Sequence, residues 1–424
     1  MEWFEATAPG RMDVMGGIAD YSGSLVLQMP IHEQTTVRLR LRNDFECVVE
    51  SNADGKSLKA TVDYRSLFKN GEVDYAYANK FFTSQKDIGW SAYVIGCALV
   101  LHRERKIDFR GADFKISSSV PLGKGVSSSA SIEVAVMKAL AKAFDLEFSG
   151  TELPQLAQMA ENLIVGAPCG LMDQLTSYFG HDNKLLPIVC QPDKLLSLIE
   201  IPEPIHFMGI DSGVRHFVGG SSYTDVRCAT FMGYTIIANH LGISIDEMKH
   251  SRATGQRLSL PFHGYLANIS VSEFESKFKN LLPETMTGLE FIQTFNQTID
   301  PVTQVEPETT YAIHACTSHP VYENERVNLF MKILQEKNPD VQRLGKLMRE
   351  SHESYSACGL GSERTDEIVN EFDLFPSVTG AKITGGGSGG TVCALAVGNE
   401  GINDVLRVHS HFSKKYRMPL KLFK

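Results

Sequence analysis

Glycines gather at three widely separated places in this chain, residues 9–24, 121–131 and 385–390. At such places the backbone can turn through positive φ and approach another group more closely than a side chain would allow. The middle stretch, Pro121-Leu122-Gly123-Lys124-Gly125-Val126-Ser127-Ser128-Ser129-Ala130, lies between a strand-like segment at 112–117 and a helix expected over 129–143. Free N–H groups at a helix start favour negative charge. Three consecutive serines add hydroxyls for phosphate oxygens or for a magnesium ion. A plain loop with a serine-rich helix cap is the alternative. The stretch lacks the Gly-Lys-Ser/Thr ending of a Walker loop and is not Gly-x-Gly-x-x-Gly.

Strand-like and helix-like segments mix here without regular alternation, which predicts an α+β architecture rather than a doubly wound sheet. Residues 35–41 and 45–50 alternate as half-buried strands do, and 391–397 reads as a buried strand. Helices are expected over 129–143, 151–165 and 325–357. Two prolines in Ile201-Pro202-Glu203-Pro204 stop both helix and sheet, so a domain change is placed there, giving 1–203 and 204–424. Residues 245–310 are polar and irregular and suggest no placement.

Length and composition bound the function. The chain has 424 residues, 43% hydrophobic and 21% charged, enough for two ordinary cores. Its longest apolar runs are too short to cross a bilayer. The start, Met1-Glu2-Trp3-Phe4-Glu5, has no basic, apolar and small-residue sequence of a secretory signal. Eight cysteines are scattered singly with no Cys-x-x-Cys, which suits a reducing, cytoplasmic setting and no structural zinc. A net charge of −9 argues against broad nucleic-acid binding. No nucleic-acid or membrane partner is expected.

Three segments in order resemble the GHMP kinases, the superfamily of galactokinase, homoserine kinase and mevalonate kinase. They are Ala8-Pro9-Gly10-Arg11 leading to Asp20-Tyr21-Ser22-Gly23, the Pro121–Ala130 loop, and Lys382-Ile383-Thr384 followed by Gly385-Gly386-Gly387-Ser388-Gly389-Gly390. Gly166-Ala167-Pro168-Cys169-Gly170-Leu171-Met172-Asp173-Gln174 resembles a signature of the galactokinase branch, as do Trp90 to Gly96 and Val214-Arg215-His216 with Tyr223 and Arg227. The unbroken run Asp13 to Ser24 is similar to kinase domains of the L-arabinokinase type.

The resemblance implies a two-domain fold with the active site in a cleft between domains, and an ATP- and magnesium-dependent kinase acting on a sugar's anomeric hydroxyl. It implies that Asp173 is the catalytic carboxylate and that Arg11 lies against it. A carboxylate beside a guanidinium is a weak base, but a loose phosphoryl-transfer transition state needs little early proton abstraction. A structural ion pair is the alternative for these two residues. The resemblance further implies Ser129 and Glu161 as magnesium ligands, against a helix cap and an exposed helix position. The Gly385–Gly390 turn would support the phosphate loop, and Trp90 and Tyr93 stand either near the adenine or in the core.

For the sugar, the galactokinase branch reads Gly-Glu-His-Thr-Asp-Tyr where this chain has Gly16-Gly17-Ile18-Ala19-Asp20-Tyr21. Asp20, Tyr223 and the Gly170 backbone are expected to hold ring hydroxyls. Gly17 and Ile18 replace the polar partners of a sixth-carbon hydroxyl, which favours L-arabinose over galactose. A galactokinase with an altered pocket and a sugar- and ATP-binding sensor without catalysis are the alternatives.

Overall fold

The computed structural model describes residues 2–53, 56–167, 169–191, 193–214 and 221–424. Pro168, Arg215 and His216 of the segments above lie outside them. The chain forms two compact units, residues 1–11 with 29–182, and residues 12–28 with 183–424.

In the first unit, residues 35–42 of the long strand Leu25–Arg42 pair antiparallel with Gly111–Ser118. That strand runs parallel to Glu46–Ala53, which pairs antiparallel with Lys56–Asp63. Alternation fixes the faces. Val37, Leu39, Val49, Phe114 and Ile116 enter one core with Leu99, Val134 and Leu140 from the helices Ala92–Glu104 and Ser128–Ala143. Arg40 and Arg42 alternate to the other side, where both reach Asp113. The helix expected over 151–165 is α-helical at Glu152–Ala160 and widens into a π turn at Glu161–Val165.

In the second unit, residues 25–28 pair with Lys184–Val189. A separate antiparallel sheet runs in the order Val378–Ile383, Thr391–Val397, Ile205–Asp211, Leu422–Phe423. The segment read as helical over 325–357 is two helices, Ile313–Leu334 and Val341–Ala357. The second lies directly on strand Val378–Ile383. A Cβ at Gly345 would meet the backbone of Thr379, and one at Gly380 the backbone of Gly345.

Residues 245–310, unplaced by pattern, hold short capped elements. Ser244 and Thr287 each close a capping box at the starts of Ile245–Thr254 and Gly288–Phe295. The intervening turns bury Phe274 and Phe278 in a core shared with Phe291, Phe295 and Phe231. Among the described residues no helix is long and apolar enough to cross a membrane.

Candidate active site

The strand Phe4–Met15 presses its backbone onto the serine loop. Arg11 N–H donates to Val126 O at 3.0 Å, and a Cβ at Gly10 would collide with the same carbonyl. The loop turns through positive φ at Gly123, Gly125 and Ser127, then enters helix Ser128–Ala143. This contact sets the Arg11 side chain against the loop and against Asp173. Its Nη1 donates to Gly125 O at 2.6 Å, while Nε and Nη2 bind Asp173 Oδ1 and Oδ2 at 2.8 and 2.9 Å. Asp173 sits in the first turn of helix Met172–Phe179, whose N-terminal N–H groups favour a carboxylate. Arg11 is 4% exposed and Asp173 is 19% exposed, so the pair is closed on the arginine side and open on the aspartate side. Ser127 also reaches Asp173, donating to Oδ2 at 2.5 Å.

Behind this pair lies a buried acidic group. Glu161, at the start of the π turn, is hydrogen-bonded to Ser129, to Gln174 Nε2 at 2.7 Å and to the Cys169 thiol at 3.3 Å. Gln174 also donates to Glu133 at 3.1 Å. Burial first, then the neighbouring Glu161 carboxylate, pushes Glu133 well above the ordinary carboxylate range. Burial raises Glu161 as well. Two buried carboxylates beside a hydroxyl are a set of hard oxygen donors that a divalent cation would keep ionised, so Ser129 and Glu161 fit magnesium. Glu133 escaped the sequence reading. Its available signal was position, one helical turn beyond Ser129 in a largely apolar helix.

Among the expected sugar residues, Gly170 lies in the first unit, in the turn before helix Met172–Phe179. Gly17, Ile18, Asp20 and Tyr223 all belong to the second. There the loop after strand Phe4–Met15 turns at Gly16 (φ +98°) and Ile18 (φ +54°), makes a short helical turn over Asp20–Ser22 and leaves through Gly23 (φ +82°). Positive φ is rare for a β-branched residue and marks Ile18 as strained. Asp20 and Tyr223 are both buried. Tyr21 packs edge-on against Tyr223 with centroids 6.2 Å apart, and the Arg227 guanidinium lies 5.4 Å from the Tyr21 ring. Asp300 grips Arg227 in a bidentate pair at 2.8 and 2.9 Å, anchoring helix Ser221–His240 where it carries Tyr223. Asp300 was not visible as a partner in the sequence.

The third glycine stretch links strands Val378–Ile383 and Thr391–Val397. Gly385, Gly387, Ser388, Gly389 and Gly390 all have positive φ, so the turn depends on glycine. Ser388 N–H donates to Leu360 O and Gly390 N–H to Val214 O. Tyr93 is drawn to the acidic group, where burial and then Glu161 and Glu133 raise its hydroxyl pKa, whereas Trp90 packs on the first unit's core.

The GHMP kinases N terminal domain family matches residues 92–181, and the GHMP kinases C terminal family matches residues 330–414. Galactokinase of Chloroflexus aggregans is 30% identical over 92% of this chain and 83% of its own length. The chain belongs to the GHMP kinases. The L-arabinokinase of Arabidopsis thaliana is 40% identical to this GHMP kinase over 93% of the chain, which spans 42% of that protein's length. The solved structure of Lactococcus lactis galactokinase complexed with galactose matches this GHMP kinase with a TM-score of 0.74 at 21% identity. It covers 99% of this chain and 92% of the other, a likeness of fold.

Proposed function

We propose that this GHMP kinase transfers the terminal phosphoryl group of ATP to the anomeric hydroxyl of L-arabinose. The observation that carries the choice of sugar is the pair Gly17-Ile18. Position 17 leaves no room for the glutamate of the galactose-type run. Ile18 keeps an apolar branch at a backbone angle that isoleucine rarely takes. An exocyclic hydroxyl buried there without a partner costs about 1–3 kcal/mol. A sugar with galactose's ring stereochemistry but no sixth carbon is therefore preferred, and L-arabinopyranose is that sugar. The identity to the Arabidopsis L-arabinokinase supports the same reading.

In this reading Asp173 accepts the proton of the anomeric hydroxyl as its oxygen bonds to the terminal phosphorus and the bond to ADP breaks. Arg11 orients Asp173 and offsets charge on the transferred group. Residues 121–130 cradle the phosphates, and Gly385–Gly390 supports them. Asp20, Tyr223 and the Gly170 backbone hold ring hydroxyls. Ser129 and Glu161 would hold magnesium, which supplies charge neutralisation on the triphosphate. Free thiols at all eight cysteines suit a cytoplasmic setting.

The test is an ADP-release assay of the purified protein over pentoses, hexoses and uronates. L-arabinose is expected to exceed D-galactose in kcat/KM by about 10–200-fold, the range for a difference of this size. A preference for galactose overturns the choice of sugar. ATP binding with no sugar-dependent ADP release overturns the kinase reading in favour of a sensor.

A further inference from the structure

Gly17 stands where the second unit leaves no volume for a side chain. An ideal Cβ there would fall inside 3.0 Å of both the Tyr355 hydroxyl and Asp13 Oδ2, closer than real Cβ atoms come to anything. Gly17 is outside the positive-φ set, so contact and not backbone conformation imposes glycine.

Neither neighbour yields easily. Asp13 Oδ2 accepts the Gly17 N–H at 3.1 Å and the Lys382 ammonium at 3.0 Å, and its Oδ1 accepts Gln28 Nε2 at 2.7 Å. Asp13 and Lys382 are both wholly buried, where a broken pair is costly. Tyr355 is wholly buried too. Its hydroxyl donates to Gly385 O at 3.0 Å, and its ring lies 5.0 Å from Lys382 Nζ. The ring meets His319 edge-on with centroids 5.4 Å apart, and His319 Nε2 lies 3.2 Å from Gly17 O. One phenol thus touches the Gly16–Asp20 loop, the ion pair beneath it and the first glycine of the third turn.

We propose that Tyr355 is a specificity-determining residue. Its hydroxyl fills the place that a side chain at position 17 would take, so the loop can present no carboxylate to a sugar's exocyclic hydroxyl. The identity of the sugar rests on the functional reading above; the contact does not. Restoring glutamate at 17 alone would drive the phenol from Gly385 and split Asp13 from Lys382. The two positions must change together.

The test compares KM and kcat for L-arabinose, D-galactose and ATP in two sets of variants. In the first, Gly17→Ala is expected to raise the KM of the better sugar at least about 10-fold, with the KM of ATP held within about twofold. Removing one of the two colliding oxygens with Tyr355→Phe, itself mild, should recover the part of that loss owed to the phenol, while the collision with Asp13 Oδ2 remains. Wild-type KM in Gly17→Ala overturns the proposal, and so does an equal loss, or failure to fold, in both backgrounds. In the second set, Gly17→Glu with Tyr355→Ala should shift the galactose-to-arabinose ratio of kcat/KM toward galactose by at least about 10-fold relative to Tyr355→Ala alone. No shift overturns the proposal, as does an equal shift from Gly17→Glu with Tyr355 intact. A wild type that prefers galactose defeats the arabinose reading instead, and the coupling of 17 to 355 is then judged on galactose by the same comparison.

Discussion

Arg11 holds Asp173 by both arms of its fork, Nε on Oδ1 at 2.8 Å and Nη2 on Oδ2 at 2.9 Å. A lysine cannot reproduce a planar two-point grip. Arg11→Lys is expected to lower kcat by about 100-fold or more, with KM for sugar and ATP changed far less. Asp173→Asn should lower kcat by about 100- to 10,000-fold, the worth of a positioned base. Steady-state kinetics check both, and a variant that raises KM alone would make the pair a binding element.

Glu161 and Ser129 are joined in the buried acidic group. If they hold magnesium, Glu161→Gln should raise the magnesium concentration giving half-maximal rate by at least about 10-fold. A magnesium titration at saturating ATP and sugar measures this. Ser129→Ala should move the same midpoint, and Ser119→Ala, which only caps a loop to Gln34, should not.

How far the chain could be read in advance depended on what fixed each feature. The serine loop shows in the sequence because its turns at Gly123 and Gly125 need positive φ, whereas Arg11 and Asp173 stand out only through the resemblance of the short runs around them to those of the GHMP kinases. The strand Thr391–Val397 and the helix Ser128–Ala143 are largely apolar and fell within a residue of expectation. Residues 245–310 were illegible because their order comes from capping boxes and buried phenylalanines in short turns, which leave no long period. Glu133, Asp300 and Tyr355 were missed for another reason. Each acts on a residue far along the chain, and only tertiary packing pairs Asp300 with Arg227 or Tyr355 with Gly17.

Burial pushes His319 down to about 4. An unfolded histidine takes up its proton near 6.5, so between these values the unfolded state binds more protons and stability falls as pH drops. The loss amounts to about 3 kcal/mol across pH 6.5 to 4. Glu323 acts lower. Burial opposes its ionisation, but Arg326, His319 and Lys382 hold it down to about 2, so its contribution is lost between about 4.5 and 2. Urea midpoints measured against pH should show His319→Gln flattening the upper window and leaving acid sensitivity below it.

Ile18 holds a backbone angle of φ +54°. Asparagine tolerates that angle, but Ile18 is buried in the second unit's core, so Ile18→Asn should lower stability by about 1–3 kcal/mol through the buried amide while narrowing the preference for arabinose over galactose. Thermal melts and the paired kinetics check both. A folded variant that kept full selectivity would remove Ile18 from sugar choice.

Helix Val341–Ala357 lies on strand Val378–Ile383 through Gly345 and Gly380, with no space for a methyl group at either. Gly380→Ala is expected to cost about 1–3 kcal/mol by overpacking. Because this helix also carries Tyr355, the variant should lose sugar affinity before it loses ATP affinity, which separate KM measurements resolve.

Asp13 and its buried partner Lys382 are 369 residues apart. A ribosome therefore releases the acid long before it makes the base, and Asp13 must wait without its ammonium for most of the chain to be synthesised. The second unit cannot close as an independent late product. A fragment starting at residue 183 would bury the Lys382 ammonium without the Asp13 carboxylate that it pairs with, so a peptide covering the amino terminus, supplied alongside, is needed to complete it.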